Sequence, residues 1–188
     1  MSGRFLHASI DQTRVGTLQE VGNLWSFQYA ADWLEHPQRF ALSPHLPLSP
    51  EPLLDGASQR PVQWYFDNLL PEESQRTLLA ADARVDVADA FGLLAWYGAE
   101  SAGSLTLLPP NAAPQSPEPL RPLPDDSLEA RIRLLPKAPL THAAIKRMSL
   151  AGAQHKLAVV LQAGTLYEPA GATASTHILK PDHPDEDY

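Results

Sequence analysis

Residues 149–156 read Ser149-Leu150-Ala151-Gly152-Ala153-Gln154-His155-Lys156, a run of small and polar side chains leading directly into the apolar stretch Leu157–Leu161. A turn of this kind exposes backbone N–H groups, and its lack of bulk lets a chain of phosphates lie close to the backbone. Gly164 turns the chain, Leu166 and Tyr167 can return it, and Thr176–Lys180 reads as a further strand that ends in a lysine. Lys180 stands 28 residues after Gly152 (180 minus 152), placed so that its ammonium can reach the α- and β-phosphates of a nucleotide.

Loop, strand and lysine strand in this order are how the small lobe of a protein kinase holds ATP. The same residues also describe a β-hairpin with a small-residue turn and a solvated lysine at a strand end. The loop contains a single glycine, so neither G-x-G-x-x-G nor the Walker A pattern is met. On pattern alone both readings stand.

Other residues with chemical potential have plainer readings. The seven histidines are scattered and show no H-E-x-x-H or other ligand spacing, so no zinc site is expected. Asp182–Asp187 is acidic and reads as a solvated tail. Asp67-Asn68 resembles half of a catalytic loop but precedes the phosphate lysine, and a helix-end capping role is the better account. Trp64, Tyr65, Phe66 and Trp96 are expected in the core or at a sub-domain interface.

The elements that must position the loop begin with short strands. Phe5–Ile10, Val15–Leu18 and Leu24–Tyr29 suggest an antiparallel meander; in the last, Trp25, Phe27 and Tyr29 alternate with polar residues. Leu46–Pro52 is a proline-punctuated loop. Pro61 suits a first helical turn, and Val62, Tyr65, Phe66 and Leu69 share one helical face. Pro71 ends that helix and opens the next, Glu72 to Ala83. Asp86 is the expected N-cap of a third, Val87 to Tyr97, with Gly98 expected as its left-handed C-cap. Leu105–Leu108 reads as a strand, and residues 126–135 fit either a helix or a strand.

Proline sets the larger organisation. The chain has 188 residues and 19 prolines, and seven of those prolines fall within the sixteen residues 109–124. That density favours extended, polyproline-like backbone. The expected division is residues 1–108, a linker over 109–124, and a second unit over 125–188. The fold class expected is α+β, an antiparallel N-terminal sheet with three helices followed by a short antiparallel sheet.

Composition excludes several function classes. There are no cysteines, so disulfide scaffolds, thiol catalysis and Cys-ligated zinc are out. With 44% hydrophobic residues and a net charge of −8, the chain has the makings of a core and is not built to bind nucleic acid on its own. No apolar stretch approaches the roughly 20 residues a membrane span needs, and Met1–His7 lacks a signal-peptide apolar region, so the expected location is cytoplasmic, with no membrane partner.

The loop resembles the glycine-rich loop of HipA-family serine/threonine kinases, toxins of type II toxin–antitoxin modules, which reads S-h-A-G-A-Q-x-K, with h hydrophobic and x variable. The family's ATP-lysine strand, T-H-I-h-K, is matched by Thr176-His177-Ile178-Leu179-Lys180. Val15–Leu18 with Phe27–Leu34 resembles the family's opening hairpin, and Ala41–Leu48 and Phe66–Pro71 resemble its next two signatures. The motifs run in the family's order over nearly the whole chain.

The resemblance implies that Ala151, Gly152, Ala153, Gln154, His155 and Lys156 cover the phosphates of ATP and that Lys180 pairs with them. Ser149 matches the family's autophosphorylation site, where a phosphate favours an ejected loop and inactivates the kinase. Read from the residues alone, Ser149 is a turn hydroxyl capping a backbone group. His155 occupies a variable position and is expected to face solvent. The implied cofactors are ATP and Mg2+, and the implied partner is a dimeric helix-turn-helix antitoxin related to HipB, through which operator DNA is contacted indirectly. The implied protein substrate is of the aminoacyl-tRNA synthetase class, glutamyl-tRNA synthetase in the best-known branch; no residue of this portion selects it.

Kinase chemistry also needs a catalytic Asp and Mg2+-holding Asp and Asn residues. In the family these lie in the larger lobe, and this chain reaches only eight residues past Lys180, with no H-x-x-D-x-x-x-x-N or D-F-G-like segment. No catalytic residue or metal ligand is therefore expected in it, and by itself it is expected to transfer no phosphate. Two accounts fit: the N-terminal part of a HipA-like kinase, or a separately encoded non-catalytic module that binds and regulates a split kinase subunit. A free-standing module would be expected to end near residue 110, which favours the first.

Overall fold

The first sheet follows from alternation along its strands. The computed structural model describes residues 3–10, 12–99, 105–112, 118–135, 150–152, 154–170 and 173–182. Strands β1 (Arg4–Ile10), β2 (Thr13–Val21) and β3 (Leu24–Tyr29) form the expected antiparallel meander. Every second side chain turns inward, so that Leu6 lies opposite Leu18 and Leu18 opposite Phe27, all buried. Two edge strands complete it, β4 (Leu53–Leu54) beside β3 and β5 (Leu105–Leu108) beside β1, in the order β4-β3-β2-β1-β5. Gly16 is needed in β2 for space: a Cβ there would lie 2.4 Å from the Gln28 carbonyl oxygen and 2.5 Å from the Phe27 ring.

Four helices accompany this sheet, one more than the sequence suggests. The addition is α1 (Ala31–Glu35), a single turn inside the stretch read as part of the opening hairpin. Helix α2 (Pro61–Asp67) buries Val62 and Phe66, and the Phe66 ring meets Phe27 at 5.4 Å. Its first turn is capped from a distance. The buried Asp55 carboxylate accepts from Val62 N at 2.8 Å and Gln63 N at 2.9 Å, satisfying two donors a helix start leaves open. Helix α3 is Glu73–Ala83, and Tyr97 ties it to α4 by donating to the Leu79 carbonyl at 3.1 Å, with the Asp82 carboxylate at 2.6 Å.

Helix α4 (Ala90–Tyr97) starts later than expected. Asp86 instead closes a turn, its carboxylate accepting from Ala88 N at 2.8 Å, and Asp89 is the N-cap, accepting from Gly92 N at 3.0 Å. Asp89 is favoured because it also pairs with Arg4 at 2.7 Å, while Arg4 lies 4.9 Å above the Phe91 ring. Gly98 ends the helix at φ −68°, which is right-handed, not the left-handed conformation expected. Glycine is required there for close approach, since a Cβ would lie 2.6 Å from that of Leu107 on β5. Of the aromatics expected in the core or at a sub-domain interface, Phe66 is buried and Tyr65 half-buried, but Trp64 and Trp96 are exposed.

The second sheet is smaller. Strands β6 (Arg121–Pro122), β7 (Leu157–Gln162), β8 (Thr165–Glu168) and β9 (His177–Leu179) run antiparallel in the order β6-β8-β7-β9. β6 comes from the end of the proline-rich segment, so residues read as linker form an edge of this sheet, where proline costs no ladder hydrogen bond. The ambiguous stretch is helical: α5 (Asp125–Leu134) carries Asp125 and Asp126 in its first turn and Arg131 and Arg133 in its last, matching the helix dipole. Arg131 pairs with Glu168 and so fastens α5 to β8.

Candidate phosphate-binding loop

Gly152 lies at φ +95°, a left-handed conformation that favours glycine, and there the chain turns before entering β7. Lys156 closes the turn from inside. Its ammonium donates to the carbonyl oxygens of Ala151 at 2.9 Å and Gly152 at 3.3 Å, which leaves one of its three donors for another acceptor.

The register of the sheet brings the second lysine to the same place. Leu157 pairs with Leu179, so continuing that register by one residue sets Lys156 opposite Lys180. Lys156 is buried and Lys180 exposed. Burial pushes the Lys156 ammonium below the usual lysine range, the nearby charge of Lys180 pushes it further down, and Glu72 works against both. Two like charges held together at a small-residue turn disfavour one another unless an anion joins them. The arrangement is suited to a polyphosphate.

The first unit supports the loop from outside. Pro71 and Gly152 form a parallel backbone bridge, and Gln75 on α3 has its Nε2 2.8 Å from His155 Nδ1. His155 is therefore half-buried against α3 and does not face solvent as expected. Gln75 is a contributor that sequence reasoning missed, since eighty positions separate it from His155 and nothing in its neighbourhood signals a loop contact. Pro71 closes a stretch, Phe66–Pro71, that was legible as a motif without a reason; the bridge to Gly152 supplies one.

Among the expected site residues, Ala151, Gly152, Gln154, His155, Lys156 and Lys180 come together around this turn, with Gln154 exposed. Ser149 and Ala153 lie outside the described residues. Asn68 is the C-cap residue of α2, whereas the Asp67 carboxylate accepts from Arg76 on α3 at 2.6 Å and so braces two helices. Among the described residues no three His, Asp or Glu side chains gather to hold a metal, and no helix is long and apolar enough to cross a membrane.

Residues 6–108 match the family described as the HipA N-terminal domain. The chain is 39% identical over 189 residues to a putative kinase, Y4mE, of Sinorhizobium fredii, covering 96% of this chain and 44% of that protein. It is 28% identical over 162 residues to the serine/threonine-protein kinase toxin HipA of Shewanella oneidensis, covering 85% of this chain and 35% of that one. Its structure is similar to one from Shewanella oneidensis MR-1 containing HipA, HipB and operator DNA, with a TM-score of 0.70 at 26% identity, over 95% of this chain and 41% of that chain. The chain thus spans less than half the length of the relatives it matches.

Proposed function

The chain belongs to the HipA family, and on that premise we propose that it is the N-terminal portion of a HipA-like serine/threonine protein kinase toxin whose residues 151–156 and Lys180 hold the phosphates of ATP. The observation that carries this reading is the meeting of Lys156 and Lys180 at the Gly152 turn. The backbone turn and the remaining Lys156 donor fit an anionic chain, and the exposed Lys180 can close over it. Mg2+ would arrive with the nucleotide, neutralising the phosphates and orienting the transferred group.

In this reading Ser149 is the autophosphorylation site. A dianionic phosphate one residue before Leu150 would compete with the triphosphate for the two lysines and rearrange the loop. The 1–108 unit would offer a docking surface to a HipB-like helix-turn-helix antitoxin, and operator DNA would be reached through that antitoxin, in keeping with the net charge of −8. The setting is the cytoplasm, and the substrate a protein, with an aminoacyl-tRNA synthetase as the class to test first.

Nucleotide binding is the property to measure in this chain. Titration calorimetry with ATP should show saturable binding, and Lys180→Met should weaken it about tenfold to a hundredfold, the effect of one lost charge-assisted hydrogen bond. The thermal midpoint should stay unchanged, because Lys180 is exposed. Absence of binding in the wild type, or equal affinity in the variant, would overturn the reading.

A further inference from the structure

We infer that Gln75 is a positioning residue for the nucleotide loop: its hydrogen bond to His155 holds the Gly152 turn against α3, beside the two lysines that the β7–β9 register brings together. The inference rests on the nucleotide reading for its purpose, but the contact itself is independent of any ligand.

The loop has little of its own to hold it. Ala151 and Gly152 supply no side chain that could anchor it, and Leu150 is its buried apolar residue among those described. Lys156 fixes the turn from within, yet that fastening does not tie the loop to anything outside the second sheet. Among the described residues, the Pro71–Gly152 bridge, just before α3, and the Gln75–His155 bond, in its first turn, tie the loop to the first unit.

That end of α3 is a firm platform. Arg76, next to Gln75, reaches the Asp67 carboxylate at 2.6 Å and the Val87 carbonyl at 2.9 Å, which joins α3 to α2 and to the approach of α4. Gln75 itself is 9% exposed. A buried amide needs a partner, and His155 Nδ1 provides it at 2.8 Å. The amide Nε2 donates, so the ring accepts at Nδ1 and carries its proton on Nε2. A buried polar side chain bonded to a residue eighty positions away confines the loop to one arrangement.

Hydrogen–deuterium exchange on the nucleotide-free chain tests this, together with ATP calorimetry. Gln75→Leu keeps the volume and removes the donor; His155→Ala removes the acceptor from the loop side, where the core of the first unit is not at risk. Each should speed exchange across residues 150–157 about fivefold, as expected for one lost hydrogen bond. The double variant should go no further than either single. Exchange in β1–β3 should not move, and ATP affinity should fall by a similar factor in all three variants. Gln75→Glu, whose carboxylate can accept from the ring N–H in the other tautomer, should restore loop protection. Unchanged loop exchange in both singles, additive effects in the double, or a loosened loop with undiminished ATP affinity would each overturn the positioning role. A wild-type chain that binds no ATP, with a loop that still loosens in both singles, would remove the nucleotide reading and leave the Gln75–His155 contact standing as the loop's fastening.

Discussion

The two sheets are built on different terms. The first closes over large side chains, with Phe27, Phe66, Phe91 and Tyr97 fully buried between the sheet and its helices. In the second, the buried strand residues are Leu157, Ala158, Val159 and Val160 of β7, and its flanking strands are two to four residues long. The lysines proposed to hold phosphate sit in the less self-supporting region. The lysine turn belongs to the small sheet, but it is also fastened to the first unit, at Pro71 and at Gln75 of α3. This is the pattern expected where a loop must be ordered for binding and released at other times.

The sharpest way to break the comparison is to open a cavity in each sheet. All four tryptophans, Trp25, Trp33, Trp64 and Trp96, lie in the first unit, so their fluorescence during urea unfolding reports on it alone. Phe66→Ala should remove about 3–5 kcal/mol from that transition. Val159→Ala, in the second sheet, should cost about 2 kcal/mol locally, seen as faster amide exchange in β7 and β9 with the tryptophan transition in place. Equal shifts of the tryptophan transition in both variants would mean that the two sheets unfold as one.

Legibility in the sequence follows the range of each signal and not the division between the sheets. β3 and β5 fall on the residues their patterns mark, because alternation around Trp25, Phe27 and Tyr29, and a run bounded by proline at Leu108, are local signals. The loop and both lysines were legible as types and spacing. The support of the loop was not, since the Gln75–His155 bond and the Pro71–Gly152 bridge join residues some eighty positions apart. The start of α4 was misread for a related reason: Asp86 and Asp89 are both good caps, and the choice depends on Arg4, far away in β1. β6 was hidden by Pro122 and the prolines around it, which an edge strand tolerates.

Asp89 offers a smaller effect confined to the first unit. Burial alone would raise its carboxyl, but the Arg4 hydrogen bond and the Gly92 N–H more than offset that and hold it below the usual range. The folded state therefore prefers the ionised form. The associated stability is present above the unfolded carboxylate pKa and is lost as pH falls through the lowered folded value. Asp89→Ala should cost about 1 kcal/mol at neutral pH through loss of the cap. Asp89→Asn keeps a capping oxygen and should lose less stability than the wild type as pH falls below the ordinary carboxylate pKa, with loop exchange in the second sheet unaffected. A wild-type acid response that survives in Asp89→Asn would show that another group carries it.

Trp64 should give the smallest effect and the closest internal contrast. It stands two residues before Phe66 on α2, about 200° around a helix that turns 100° per residue, and it is 60% exposed where Phe66 is 0% exposed. Residue type argues for burial of a tryptophan, and on that consideration Trp64 is expected in the core or at a sub-domain interface. The spacing of Val62, Tyr65, Phe66 and Leu69 already leaves Trp64 on the opposite face, and the fold sides with the spacing. Trp64→Ala should therefore change the unfolding free energy by no more than about 0.5 kcal/mol, against several for Phe66→Ala. It should also remove a solvent-exposed component from the folded-state emission while leaving that of Trp25 and Trp33, both buried. A loss comparable to that of Phe66→Ala would mean that the outer face of α2 is covered in the folded protein, and the first unit would then extend beyond the core described for it.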